Sequence, residues 1–278
     1  MTRILVADDD RTTRLLLAET LRAEKYTVVT VADGVAALAK LNKEKFDLAL
    51  LDVWMPKMNG FEVLSKLRTK PNRTKVIVMT SDDTPETLIG AMREQAYQYV
   101  SKPIEPKALT ALIRESLLKK TDTLPIEVIS ARPEWVELSL PCSLETAERI
   151  EGFMAHLKGG LSEDVLRSVG QAFHELLLNA VEWGGKLDPN RKVRISYLRA
   201  KRMVMYRIAD PGPGFKFSDL DHAAISHTPD QPTLHDDIRR QKGLRPGGFG
   251  LLLTQANVDE LLYNEKHNEV VFVKYLEG

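Results

Sequence analysis

The chain is poor in cysteine: Cys142 is the only one among 278 residues. A single thiol cannot form an internal disulfide, which fits a reducing compartment. No stretch approaches the roughly 20 apolar residues of a membrane-spanning helix. The apolar run Ile4–Ala7 is also too short for a signal peptide. We therefore expect a cytoplasmic protein without a membrane partner.

The chain also lacks an excess of charge of either sign. Lys and Arg total 39, and Asp and Glu total 39. This balance gives no reason to expect a nucleic-acid partner or an acidic-membrane anchor. With 43% hydrophobic and 28% charged residues, the composition is that of an ordinary globular protein. A length of 278 residues suggests two domains, at roughly 100–200 residues each.

Short apolar runs alternate with amphipathic patterns through residues 1–120. The predicted strands are Ile4–Ala7, Val28–Val31, Leu48–Leu51, Val76–Met79 and Tyr99–Val100. The predicted helices are Thr12–Glu24, Val35–Asn42, Gly60–Arg68, Pro85–Glu94 and Pro106–Leu118. The apolar runs are continuous, as in strands that are covered on both faces. Five consecutive strand–helix units predict a doubly wound α/β domain with five parallel strands.

Residues 121–133 are charged and contain proline, which predicts a linker, although Ile126–Ile129 could form a short strand. A different element order follows over 134–278. The predicted strands are Trp135–Leu140, Lys192–Leu198, Met203–Ala209, Val258–Tyr263 and Glu269–Tyr275. Helices are expected after the N-cap Ser143, over Glu163–Trp183 and near residue 248. This order predicts a second domain that is an α+β two-layer sandwich, with a long polar loop over Lys216–Pro246.

Polar side chains stand at the ends of four predicted strands of the first domain. They are Asp8 and Asp9, Asp52, Thr80, and Lys102. Ligands bind beyond the carboxyl ends of parallel strands, so these side chains can converge on one site. Any one of them alone is better explained as a helix cap or a solvated charge, but that explanation is improbable for all five.

The chemistry of these five residues is coherent. Three carboxylates repel one another and require a hard cation, and Mg²⁺ prefers oxygen ligands. A carboxylate could attack a phosphoryl donor while the metal offsets the negative charge. Thr80 could donate a hydrogen bond to the phosphoryl group, and Lys102 could pair with it.

The segments ILVADDD, LLDVWMPKMNGFEVL, VIVMTS and YVSKP resemble the receiver domains of two-component response regulators. The resemblance covers residues 1–120 and implies a flavodoxin-like fold and a histidine kinase as phosphodonor. It implies Asp52 as the phosphoacceptor, with Asp8, Asp9, Asp52 and the Trp54 carbonyl as Mg²⁺ ligands. Thr80 and Tyr99 would form the switch pair, with Lys102 as the partner of the phosphoryl group.

Three motifs in the second domain point to a nucleotide site. Glu175 and Asn179 are four residues apart and share one helix face, where they could hold Mg²⁺. The segment Asp210–Phe215 has two glycines that allow a ligand to approach, and an acidic acceptor for an adenine amine. The glycines of Arg245–Gly250 precede a helix and could meet phosphate. Taken singly, these motifs are better explained as a solvated pair, a tight turn and a loop.

Together, and in this order, the motifs resemble the N, G1 and G2 boxes of GHKL-type ATP-binding domains. Residues 134–278 resemble the anti-sigma-factor serine kinases among them, including the ending VDELLYNEKHNEVVFVKYL. The resemblance implies ATP and Mg²⁺ as cofactors, with Asn179 as the metal ligand and Glu175 as the catalytic base. It places Asp210 at adenine, Gly212 and Gly214 around its pocket, Gly248 and Gly250 at the phosphates, and 216–246 as a lid.

The combined hypothesis is a response regulator whose Asp52 controls an ATP-dependent Ser/Thr kinase or an anti-sigma factor. The expected partners are a histidine kinase and an anti-sigma-factor antagonist or a sigma factor, and a homodimer is a further expectation. The alternative is an output module that binds ATP and a protein but transfers nothing. The sequence Val181–Gly185 keeps this alternative open, because the related kinases often carry a histidine there.

Overall fold

The computed structural model describes residues 2–68, 74–82, 84–119, 124–157, 160–216 and 250–276. The chain divides into two compact units, Met1–Pro125 and Ile126–Gly278. We call them the N-terminal unit and the C-terminal unit, and each has its own sheet. Among the helices within the described ranges, none has the length and apolar character needed to cross a membrane.

The N-terminal unit alternates strands and helices. Its strands are β1 (Arg3–Ala7), β2 (Thr27–Val31), β3 (Leu48–Asp52), β4 (Lys75–Thr80) and β5 (Gln98–Ser101). Its helices are α1 (Arg11–Ala23), α2 (Gly34–Lys43), α3 (Gly60–Arg68), α4 (Pro85–Arg93) and α5 (Pro106–Leu118). All strand pairs are parallel, in the order β2-β1-β3-β4-β5. The predicted doubly wound, flavodoxin-like fold is confirmed.

Burial on both faces explains why the strands of this sheet read as continuous apolar runs. β3 and β4 are buried at every position. The cluster beneath α1 and α5 includes Ile4, Leu50, Ile77 and Ile113, each fully buried. β3 and β4 end in Asp52 and Thr80, so both buried strands place a polar residue at their carboxyl ends, where the predicted site lies.

Aspartates fix the start of two helices beside that site. The Asp10 carboxylate accepts a hydrogen bond from the Thr13 N–H at 2.6 Å, and it caps α1. Asp33 caps α2 in the same way, through the Ala36 N–H at 2.8 Å. Such caps satisfy amide groups that have no partner within the helix. The third aspartate of the Asp8–Asp10 run is thus used to begin a helix.

The C-terminal unit has one antiparallel sheet of six strands, ordered β10-β11-β9-β8-β7-β6. These strands are β6 (Glu127–Arg132), β7 (Trp135–Pro141), β8 (Lys192–Ala200), β9 (Met203–Ala209), β10 (Glu260–Tyr263) and β11 (Glu269–Tyr275). Its helices are α6 (Leu144–His156), α7 (Glu163–Asn179), a π-helical turn (Ala180–Gly184) and α8 (Gly250–Asn257). The predicted two-layer α+β sandwich of the GHKL type is confirmed.

A cluster of aromatic rings joins the sheet to α7. Tyr206 of β9 stacks on Phe272 of β11 at a centroid distance of 5.0 Å. It also contacts Phe173 of α7 at 4.9 Å and Tyr197 of β8 at 5.0 Å. All four residues are at most 1% exposed. This packing fixes α7 on the sheet, and α7 carries two of the predicted site residues.

Two observed elements of the C-terminal unit differ from the expected ones by more than a residue or two. Residues 127–132, expected within the linker with a possible short strand over Ile126–Ile129, form β6 and pair with β7 at the edge of the sheet. Helix α7 ends at Asn179, and the residues up to Gly184 form the π-helical turn. Most side chains of β6 are exposed because it is an edge strand. Its sequence therefore lacks the apolar run that predicts a buried strand.

Candidate functional site

The carboxyl ends of β1 and β3 bring three carboxylates together. Oxygen atoms of Asp8, Asp9 and Asp52 all lie within 4.8 Å of one another. Asp8 is fully buried and Asp52 is 4% exposed, whereas Asp9 is exposed. A group of oxygen ligands with one open side suits Mg²⁺, which keeps several of its waters. The donor set therefore fits the predicted cation.

Lys102, directly after β5, bridges the two buried carboxylates. Its Nζ lies 2.7 Å from Asp8 Oδ2 and 3.1 Å from Asp52 Oδ2. Burial raises the pKa of Asp52, and the charge of Asp8 adds to this, while Lys102 opposes it. Burial lowers the pKa of Lys102, but its contacts with Asp8 and Asp52 outweigh this, so the pKa is raised. The peptide bond from Lys102 to Pro103 is cis.

Two residues that the sequence reasoning missed support the acidic cluster. The Arg14 guanidinium on α1 donates to the Asp8 carbonyl at 2.7 Å and to the Asp9 carbonyl at 2.9 Å. A Cβ atom on Gly60, at the start of α3, would lie 2.4 Å from the Asp52 carbonyl oxygen. Only a glycine therefore lets α3 begin this close to Asp52. The glycine in the segment MNGF could have indicated the close approach at Gly60. Nothing in the sequence around Arg14 indicates its contacts with the two carbonyl groups.

The predicted switch residues lie at the next two strands, and Asp82 joins them. Thr80 is fully buried and its Oγ1 accepts from the Asp82 N–H at 3.0 Å. Tyr99 is 3% exposed, and its hydroxyl donates to the Asp82 carbonyl at 3.2 Å. The Asp82 carboxylate accepts from the buried Thr87 hydroxyl at 2.9 Å. Trp54, in contrast, points its side chain into solvent and is 54% exposed.

In the C-terminal unit, the Glu175 face of α7 meets the start of α8. Glu175 and Asn179 are half-buried and lie one helical turn apart. A Cβ atom on Gly250 would lie 2.3 Å from Glu175 Oε2. One turn earlier, Gln171 Oε1 accepts from Asn257 of α8 at 3.1 Å. The first and third predicted motifs are therefore in contact through Glu175 and Gly250.

The second motif follows β9 and is held by the turn between β10 and β11. The Asp210 N–H donates to the Asn268 carbonyl at 2.9 Å, and the Asn268 amide donates to the Gly212 carbonyl at 3.1 Å. Gly214 has φ of +86°, and a Cβ atom there would lie 1.6 Å from the Lys266 carbonyl oxygen. Both glycines of this motif are thus required by close backbone contacts.

Asp210 itself is half-buried at the end of β9. Burial raises the pKa of its carboxyl, and the Gly212 N–H, which donates to Oδ1 at 2.6 Å, opposes that rise. The charge of Arg191 also opposes the rise in the pKa of Asp210. The Arg191 guanidinium donates to the Pro211 carbonyl at 2.5 Å. The ionised carboxylate can act only as an acceptor, which suits the amine of an adenine ring.

Some predicted site features lie outside the described residues. They are Gly248 and the predicted lid beyond Lys216. His174, next to Glu175, is exposed and pairs with Glu151 of α6 at 2.9 Å. This contact places His174 on the outer surface of α7.

Family models match both units. Residues 4–114 match the response regulator receiver domain, and residues 141–274 match the histidine kinase-like ATPase domain. The DNA-binding response regulator MtrA of Mycobacterium tuberculosis is 31% identical over 202 residues, which cover 72% of this chain and 87% of the relative. The response regulator MprA of Mycobacterium ulcerans is 36% identical over 119 residues, 43% of this chain and 51% of that protein.

Solved structures of response regulators match part of the chain. A CheY-like receiver domain protein from Methanospirillum hungatei is 34% identical, with a TM-score of 0.41, and the match covers 42% of this chain and 94% of that one. TrrA from Thermotoga maritima, solved in complex with Mg²⁺ and BeF, is 33% identical, with a TM-score of 0.39 and coverage of 42% and 99%. The chain belongs to the response regulators, with a receiver domain followed by a histidine kinase-like ATPase domain.

Proposed function

We propose that a histidine kinase transfers a phosphoryl group to Asp52. One oxygen of the Asp52 carboxylate attacks the donor phosphorus, and the bond from phosphorus to the donor breaks. A Mg²⁺ ion held by Asp8, Asp9, Asp52 and the Trp54 carbonyl would offset the negative charge of the transferred group. Lys102 and Thr80 then contact the phosphoryl oxygens, and Tyr99 responds to the change at Thr80.

The convergence of three carboxylates and one lysine carries this proposal. The 4.8 Å cluster leaves Asp9 exposed, so a cation and a donor can reach Asp52 from solvent. Lys102 already contacts Asp52 at 3.1 Å, so its charge is in place for the product. Asp82 links Thr80 to Tyr99 through its backbone, which supports their role as a switch pair.

Acetyl phosphate as donor tests this proposal without the partner kinase. Wild-type protein with Mg²⁺ should gain one phosphoryl group that hydroxylamine removes, detected by intact-protein mass spectrometry. Asp52→Asn should gain none, and chelation of Mg²⁺ should suppress the wild-type reaction. Equal labelling of wild type and Asp52→Asn would show that the acceptor is another residue.

For the C-terminal unit, we infer an ATP-dependent Ser/Thr kinase or anti-sigma factor of the partner-switching type. Asn179 would hold Mg²⁺, Asp210 would accept the adenine amine, and Gly212 and Gly214 would shape the adenine pocket. Gly248 and Gly250 would meet the phosphates. Glu175 would act as the base toward a hydroxyl of an anti-sigma-factor antagonist.

A contact between the first and third motifs and a hydrogen bond within the second support this assignment. Glu175 on α7 touches Gly250 at the start of α8, where backbone N–H groups favour phosphate. Asp210 is held by the Gly212 N–H, so its carboxylate has a defined orientation. The residues proposed as the base, the phosphate-binding helix start and the adenine acceptor all belong to the C-terminal unit.

Two measurements test this function in the full chain. Calorimetric titration with Mg²⁺-ATP should show binding in wild type and in Glu175→Gln. Incubation with radiolabelled ATP and candidate antagonist proteins should label serine or threonine with wild type only. Labelling that survives Glu175→Gln would remove Glu175 from the role of base.

Trp183 favours a second candidate, an ATP-binding module that grips a partner and transfers nothing. Trp183 lies in the N box, where related kinases often carry a histidine. Its side chain is 46% exposed. ATP binding with no phosphotransfer, together with partner binding that survives Glu175→Ala, would establish this function. Absence of ATP binding by wild type would exclude both candidates.

A further inference from the structure

The π-helical turn after α7 has an unusual continuation. The Gly185 N–H donates to the Ala180 carbonyl at 2.8 Å, which closes the wide turn. Lys186 and Leu187 then both take left-handed backbone conformations, with φ of 58° and 54°. Such conformations are unfavourable for residues with side chains and persist where the surrounding structure holds them.

Gly184, the last residue of the π-helical turn, lies directly against Asp210. A Cβ atom on Gly184 would stand 2.2 Å from both Cγ and Oδ1 of Asp210, and 2.5 Å from its Cβ. A Cβ atom on Gly212 would in turn stand 2.9 Å from the Gly184 Cα. The carboxyl group of Asp210 therefore occupies the space that any side chain at position 184 would need.

Asp210 has little freedom to move out of this space. Its Oδ1 accepts the Gly212 N–H at 2.6 Å, and its own N–H donates to the Asn268 carbonyl at 2.9 Å. The overlap includes the Asp210 Cβ at 2.5 Å, whose position is set by the backbone, so rotation of the side chain cannot relieve all of it. A methyl group at Gly184 would thus displace the carboxylate or break these hydrogen bonds.

We propose that Gly184 is a positioning residue of the adenine site, and that its bare Cα sets where the Asp210 carboxylate presents its acceptor oxygens. This inference rests on the proposed ATP binding and extends it to the π-helical turn. That turn connects Asn179, the proposed metal ligand, to the adenine acceptor. The wide turn and the left-handed residues after it thereby bring the backbone of Gly184 up to Asp210.

The test compares Gly184→Ala with Gly170→Ala, which adds the same methyl group on the half-buried face of α7. Calorimetry of the full chain would give dissociation constants for Mg²⁺-ATP and Mg²⁺-GTP. Guanine has an oxygen in place of the adenine amine, so the ratio of the two constants reports the alignment of the carboxylate. A hydrogen bond to a charged group corresponds to roughly tenfold in affinity or more. Gly184→Ala should lose about that factor for ATP and most of its preference over GTP, and Gly170→Ala should lose neither.

A double-mutant cycle tests whether Gly184 acts through Asp210. Once Asp210→Gly has removed both Cβ and the carboxyl group, adding Gly184→Ala should cause no further loss of ATP affinity. Should Gly184→Ala alone fail to fold, the double variant should fold again, because the overlapping atoms Cβ, Cγ and Oδ1 are gone. An unchanged ATP preference in a folded Gly184→Ala, or additive losses in the cycle, would overturn the inference. Absence of ATP binding by wild type would instead refute the proposed function.

Discussion

Lys102 is the cation that makes the buried carboxylates of the receiver tolerable, so Lys102→Met should destabilise the N-terminal unit. Methionine keeps much of the length of the side chain and removes only its charge. The Nζ lies 2.7 Å from Asp8 and 3.1 Å from Asp52, and Asp8 has no exposure to solvent. Its removal leaves two buried carboxylates without their shared partner.

The expected loss follows from this burial. Removing one partner of a buried ion pair costs about 3–5 kcal/mol, because the remaining charge stays desolvated. Lys102 is 18% exposed and Asp9 beside the cluster is exposed, so water can reach one side. We therefore expect the low end, about 3 kcal/mol. Mg²⁺ binds only the folded site and therefore stabilises the folded protein. This stabilisation should be larger in Lys102→Met than in wild type, because in the variant Mg²⁺ does not compete with the Lys102 ammonium group.

Hydrogen exchange in the full chain can measure this loss unit by unit. Two-domain chains rarely unfold in one transition, whereas slow amides report the stability of their own region. Amides of β3 and β4 should exchange roughly a hundredfold faster in Lys102→Met, and amides of β8 and β9 should be unchanged. The control is Lys107→Met, an exposed lysine of α5. A loss below about 1 kcal/mol, or no added effect of Mg²⁺, would refute the reasoning.

Three other predictions concern single residues. Burial raises the pKa of Asp210 above its ordinary value, so the carboxylate is protonated at a higher pH than usual. Calorimetry should show the affinity for Mg²⁺-ATP falling as the pH drops through that raised pKa. Asp210→Asn should lack this pH dependence. Gly214→Ala should destabilise the C-terminal unit by about 2 kcal/mol or more, because it adds left-handed strain and overlap with Lys266; faster exchange in β9 and β11 would reveal it. Thr87→Val removes the donor to Asp82 and should lower the local stability of α4 by about 1 kcal/mol, seen as faster hydrogen exchange. Unchanged exchange would show that this hydrogen bond does not stabilise α4.

The receiver site could be predicted from the sequence because each of its parts is a local signal. Asp8, Asp52 and Lys102 each follow a run of apolar residues, and parallel strands bring their ends to one edge. The predicted helix starts at Gly60 and Pro106 are the observed ones. Proline at the first helical position is a local signal of this kind. Arg14 could not be found this way, because its role depends on carbonyl groups rather than on a motif.

The C-terminal site depended instead on contacts between distant segments, and local patterns could not predict these. The sequence reasoning extended the helix to Trp183, since Ala180–Trp183 has no proline or glycine to end it. The helix widens there, and the turn ends at Gly184, which lies against Asp210, 26 positions further along the chain. Glu175 and Gly250 also lie in contact, although strands β8 and β9 separate them in the sequence. In each pair one partner is a glycine whose missing side chain makes room for a carboxylate, so a glycine motif indicates a close approach but does not name the group that approaches.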